Sequence, residues 1–175
     1  SAEMKKTMIL SGAAALVAAG VAGADYKIDF AEFIAAGGDF TTLVNGADVS
    51  GTLTGVVADF ELYQAGEGAT WADDLTVLIG GTVQIGGFND QGTPNFISWG
   101  TGSSGAAGTL VQTSFAIDPG IDVTGLDISL GNGYNTGGNG YWTGSITLEG
   151  ITVVPAPGAI ALLGLGGLVA RRRRG

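Results

Sequence analysis

The chain has 175 residues with 33 glycines, sixteen acids and seven bases, and it contains neither histidine nor cysteine. The missing side chains exclude Ser-His-Asp and Cys-His catalysis, the commonest zinc sites and any disulfide framework. Between residues 25 and 153 fifteen acids accompany one base, Lys27, for a net charge of −14, which excludes nucleic acid as a partner because binding a phosphate backbone needs Lys and Arg to displace counterions.

At the N-terminus, Lys5 and Lys6 precede an apolar stretch from Met8 to Ala22, and Ala22-Gly23-Ala24 puts small residues at Ala22 and Ala24 just before Asp25. That order of parts predicts a secretory signal peptide over 1–24, with a helical apolar region and cleavage after Ala24. An amphipathic first helix would need a polar face that this stretch lacks. Met4 is the expected natural start, with Ser1 to Glu3 as extra residues.

Residues 25–153 are expected to form one all-β domain, a single antiparallel β-sandwich. Apolar residues alternate at Tyr26, Ile28 and Phe30, at Val56, Ala58, Phe60 and Leu62, and at Leu75, Val77 and Ile79. The pattern resumes at Leu126, Ile128 and Leu130 and at Ile146 and Leu148, with Val83 to Ile85 and Leu110 to Ile117 as further strands. Period two in short runs between glycine-rich turns is the mark of such a sandwich. Phe30 to Ala36 is expected to be a short helix. Asn45-Gly46, Gly131 to Gly133 and Asn139-Gly140 are expected to supply left-handed turn conformations, and Gly100 to Gly108 a flexible loop. A domain of this size buries enough surface to hold without disulfides.

Two fragments, Thr70-Trp71-Ala72-Asp73-Asp74-Leu75 and Tyr141-Trp142-Thr143-Gly144-Ser145-Ile146-Thr147-Leu148, resemble jelly-roll sandwiches related to the proprotein convertase P domain. The resemblance implies a jelly-roll arrangement of the strands and no particular activity.

The chain ends with residues 154–175, VPAPGAIALLGLGGLVARRRRG. From Val153 to Ala170 the run is uncharged and mostly apolar, and eighteen helical residues span about 27 Å, barely a bilayer. Pro157 favours a helix start, so the apolar helix is expected from Gly158. Arg171, Arg172, Arg173 and Arg174 would hold its end on the cytoplasmic side. This succession of proline motif, apolar helix and basic end resembles the PEP-CTERM tail of bacterial exosortase substrates. The usual Pro-Glu-Pro is here Pro155-Ala156-Pro157, within Val154 to Gly158. The resemblance implies transient anchoring in the inner membrane, cleavage near the motif by an exosortase-like protease, and transfer to the cell surface or extracellular matrix.

Chemistry available to the body is limited by its side chains. A glycosidase needs only two carboxylates, and Asp73, Asp74, Glu61 and Asp127 are candidates, but acids scattered over an exported domain need no catalytic reason and no enzyme is expected. Calcium suits loop acids and amides, and Asp73 with Asp74, Asn89 with Asp90, and Asp118 with Asp122 are the candidate ligands. Among the aromatics, Trp99, Tyr134 and Tyr141 are the candidate glycan contacts, with Asn132, Asn135 and Asn139 to bond hydroxyls, while Trp71 and Trp142 are expected in the core. The sequence thus leads to an exported structural or adhesive surface protein, reached through the secretion machinery and needing no cofactor. The alternatives are a carbohydrate-binding module for exopolysaccharide and a calcium-dependent adhesin.

Overall fold

The structure, a computed structural model, describes residues 24–154, and these contain nine strands: β1 (Tyr26–Ala36), β2 (Phe40–Val44), β3 (Val49–Leu62), β4 (Leu75–Ile79), β5 (Val83–Ile85), β6 (Asn95–Ile97), β7 (Thr109–Asp122), β8 (Ile128–Asn132) and β9 (Asn139–Val153). One sheet has the order β1-β9-β3-β7 and the other β2-β8-β4-β5-β6, and together they form a β-sandwich. All ladders are antiparallel except β5 with β6, which run parallel. The expectation of a purely antiparallel sandwich is corrected there, because residues 86–94 carry the chain back to the end where β5 began.

The inner faces follow from the alternation. Val56, Ala58, Phe60 and Leu62 of β3, Leu75, Val77 and Ile79 of β4, Ile128 and Leu130 of β8, and Ile146 and Leu148 of β9 are all buried in one core. Aromatic rings run through it edge to face or tilted, from Trp142 to Phe33, Phe30, Phe60 and Trp99. Both indole N–H groups are satisfied: Trp99 Nε1 donates to the Leu75 carbonyl at 2.7 Å and Trp142 Nε1 to the Ala72 carbonyl at 3.0 Å. A buried indole N–H that lacked such a partner would cost about 1 to 3 kcal/mol.

Phe30 to Ala36 is strand, not helix. The register of β1 on β9 shifts between Phe30 and Phe33, and this bulge turns both rings inward. Two core residues three apart imitate helical spacing. A similar shift between Leu53 and Gly55 resets the inward phase of β3.

The asparagine-glycine steps also have a different purpose. Among the described residues, positive φ occurs at Gly38, Gly80 and Gly125 among other glycines, but not at Gly46, Gly131, Gly133 or Gly140. Those four are small because another part of the chain touches them: a Cβ on Gly46 would strike Gly125, one on Gly133 would strike Thr76, and one on Gly140 would enter the Trp142 ring.

Candidate functional site

All strands run between the same two ends of the sandwich. At one end the chain enters beside Gly150, whose N–H bonds Asp25 Oδ1 at 3.2 Å, and leaves at Val154, whose N–H bonds the Asp48 carbonyl at 2.8 Å. At the other end lie the loops after β1, β3, β5, β6 and β8.

Asp74 organises that loop end. It lies in a short 3-10 turn, Ala72–Asp74, and is only 3 % exposed. Its Oδ2 accepts the Trp71 N–H at 2.7 Å, its carboxylate also accepts the Phe88 N–H, and its carbonyl accepts Gly133 N–H at 2.8 Å and Thr76 Oγ1 at 2.9 Å. Three loops therefore meet on one residue. Burial pushes its carboxyl up to about 6, against the lowering effect of the two N–H donors and with a further push from Asp73.

Residues 86–92 cross the outer face of the second sheet, over Thr76 and Gln84. The buried Gln84 holds this crossover, donating from Nε2 to the carbonyls of Gly86 (3.0 Å) and Asn89 (2.8 Å) and accepting Gln91 N–H at 2.8 Å. Asn89 Oδ1 accepts Asn135 N–H at 2.8 Å, and Gln91 Nε2 donates to Asn135 Oδ1 at 3.0 Å, so the crossover is tied to the loop after β8. On this frame stand Phe88, 71 % exposed, and the half-buried Tyr134, with ring centroids 5.7 Å apart and an interplanar angle of 79°. Two rings at a right angle, beside the amides of Asn89 and Asn135 and the carboxylate of Asp90, offer an apolar corner with polar groups at its rim.

Tyr141 belongs to a neighbouring cluster at the same end. Its ring packs edge-on against Tyr63, and its O–H donates to Glu67 Oε1 at 2.5 Å while Asn139 N–H reaches Glu67 Oε2. These donors hold the Glu67 carboxyl below its ordinary range, and the bond to Glu67 raises Tyr141. Trp71, 43 % exposed, is also at this end.

The tryptophans exchange their expected places. Trp99 is 2 % exposed and its ring fills the core, so it presents no face to a sugar, whereas Trp71 is the exposed indole. Trp142 lies in the core as expected. Asn132 is fully buried and used internally, donating to the carbonyls of Ala35 and Gly138 and accepting Tyr134 N–H. Phe88 escaped the sequence reading because a single phenylalanine in a Gly-Gly-Phe-Asn-Asp-Gln run has no periodicity to reveal its exposure.

The candidate calcium ligands fall into separate places. Asp73 and Asp74 sit at the loop end, where Asp73 Oδ2 accepts the Ser103 hydroxyl at 2.6 Å and its buried Oδ1 has no partner among the described residues. Asn89 and Asp90 lie on the crossover, where Asp90 Oδ1 accepts Gly92 N–H. Asp118 and Asp122 are exposed along β7, and Asp122 caps Thr124 N–H. No group of three or more acids within reach of one ion is found among the described residues. Of the remaining carboxylates, Glu61 is on β3 and Asp127 bonds Gly46 N–H at the opposite end. The Gly100 to Gly108 segment is a loop, but one fastened by Ala72 N–H to Ser104, Asp73 N–H to Gly102 and Gly66 N–H to Gly105.

A shallow groove of about 700 Å³ opens where the chain enters and leaves, lined by Asp25, Ser50, Thr52, Thr54, Glu149 and Thr152. Of the processing residues, Ala24 and Val154 border the described sandwich; Ala22, Pro155, Ala156, Pro157, Gly158 and Arg171 to Arg174 lie outside the described residues. No protein-family model matches the chain, and no curated protein or solved structure does.

Proposed function

We propose that this chain is an exported structural or adhesive component of the cell surface or extracellular matrix, sorted by an exosortase-like enzyme through its C-terminal tail. The observation that carries this reading is polarity. The chain enters and leaves the sandwich at one end, while Trp71, Phe88 and Tyr134 stand with the Asn89 and Asn135 amides at the other. A body tethered near Val154 would present its loop end outward. The strand orders β1-β9-β3-β7 and β2-β8-β4-β5, with β6 added, support a jelly-roll body.

Carbohydrate binding at the loop end is the second reading, favoured by the Phe88 and Tyr134 corner and its amides. The net charge of −14 argues for a neutral glycan over uronate or sulfate polymers, which it would repel.

Mass spectrometry of the protein recovered from its native envelope and medium tests the sorting reading. A start at Asp25 and loss of everything after the Pro155 region is the expected result. An intact Arg171 to Arg174 end overturns it.

A further inference from the structure

We infer that the free edge of β7 pairs with the same edge of a second copy, joining two four-stranded sheets into one. The four sheet edges of the sandwich are not alike. β1 carries Lys27, Asp29 and Glu32 and a bulge between Phe30 and Phe33. β2 has five residues with a register shift between Thr42 and Val44, and β6 has three residues behind Pro94. Charge, bulges and shortness are the means by which edges avoid pairing with other chains. β7 has fourteen residues, bonds only β3 among the described residues, and from Thr109 to Ile117 contains no charge, no proline and no glycine. Its first proline is Pro119.

That neutral run matches itself. An antiparallel pairing centred on Thr113 overlaps it completely and sets Leu110 against Ala116, Val111 against Phe115, and Gln112 against Ser114 of the second copy. Apart from Thr109 against Ile117 at the ends of the run, apolar residues then meet apolar ones and polar meet polar, on the correct faces. Leu110, Gln112, Ser114 and Ala116 point outward and are exposed, while Phe115 and Ile117 face inward but are only half-buried at the open flank of the sandwich. A partner strand would cover both and would satisfy the outward backbone groups of β7. The contact is isologous and closes on a two-fold axis.

Charge selects the occupant. On a body of net charge −14, this strip lets two copies approach without setting carboxylate against carboxylate. The repulsion between the bodies acts at longer range and is screened by salt, so pairing should strengthen as ionic strength rises.

The chain has no cysteine, which allows single-site cross-linking of the full-length chain in non-ionic detergent. Thr113→Cys should form a disulfide-linked dimer several-fold faster than Asp29→Cys on β1, and faster in high than in low sodium chloride. Adding Gln112→Lys with Ser114→Lys places like charges opposite each other across the ladder and should abolish the difference while circular dichroism stays unchanged. Equal rates at the two positions, a rate that falls with salt, or no effect of the lysines would overturn the inference. If Thr113→Cys fails to fold, sedimentation equilibrium of the unsubstituted chain and the double-lysine variant decides it: equal average masses refute the pairing.

Discussion

The buried carboxyl of Asp74 ties the stability of this molecule to pH. The buried group keeps its proton up to about 6, against an ordinary value of 3.8, so the folded state binds a proton that the unfolded chain releases. Its contribution is fully present below about pH 4 and is lost as pH rises through about 6, a loss of about 2 to 3 kcal/mol for a shift of this size. Glu67 acts in the opposite sense: Tyr141 O–H and Asn139 N–H hold it low, so its contribution is present above its ordinary range and lost as pH falls. Stability should therefore peak in mildly acidic solution and decline toward neutrality. Asp74→Asn keeps an acceptor for Trp71 N–H but cannot ionise, and urea titrations between pH 4 and 7 should show its stability nearly flat where the parent declines. An equal decline in both proteins would assign the effect to general repulsion among the acids.

Among the elements, small residues at contacts decide more than flexible residues at turns. Gly140→Ala forces a methyl into the buried Trp142 ring and should cost about 1 to 3 kcal/mol by overpacking. Gly81 has ordinary φ and open space around it, so Gly81→Ala should be neutral or stabilise by up to about 1 kcal/mol. Chemical denaturation of the two variants checks this, and a harmless Gly140→Ala would refute the contact argument. The same distinction explains what the sequence disclosed. Strands β3, β4, β8 and β9 were legible because one face meets the core and the other does not. β1 was mistaken in part for a helix because its bulge changes the period midway, and β2 and β6 were missed because Phe-Thr-Thr-Leu-Val and Asn-Phe-Ile do not alternate cleanly between apolar and polar and bury no clear face. Glycine beside asparagine reads locally as a turn, whereas Gly133 and Gly140 answer to Thr76 and Trp142, whose positions only the fold determines. Tyr134 was legible as a candidate contact in a polar loop, but its partner Phe88 lies on a crossover 46 residues earlier, and nothing local announces their meeting.

At the scale of the molecule, the division into a tethered end and a loop end separates stability from recognition, and that separation can be measured. Trp99 and Phe88 are both aromatic and both near the loop end, yet one is 2 % and the other 71 % exposed. Trp99→Ala should cost about 3 to 5 kcal/mol, because it empties a core position and leaves the Leu75 carbonyl without its donor. Phe88→Ala should change stability by no more than about 0.5 kcal/mol, since the ring is largely in solvent. If the loop end binds a neutral glycan, Phe88→Ala and Tyr134→Ala should each weaken it about ten-fold, the loss of one stacking contact of roughly 1.4 kcal/mol. Tyr141→Phe, which removes the bond to Glu67 but lies in the adjacent cluster, should weaken it less. A glycan array followed by titration calorimetry on the three variants measures these differences. Binding that survives both ring deletions would move the ligand elsewhere, and an array without any saturable neutral glycan would leave the loop end as an outward surface for protein contact alone.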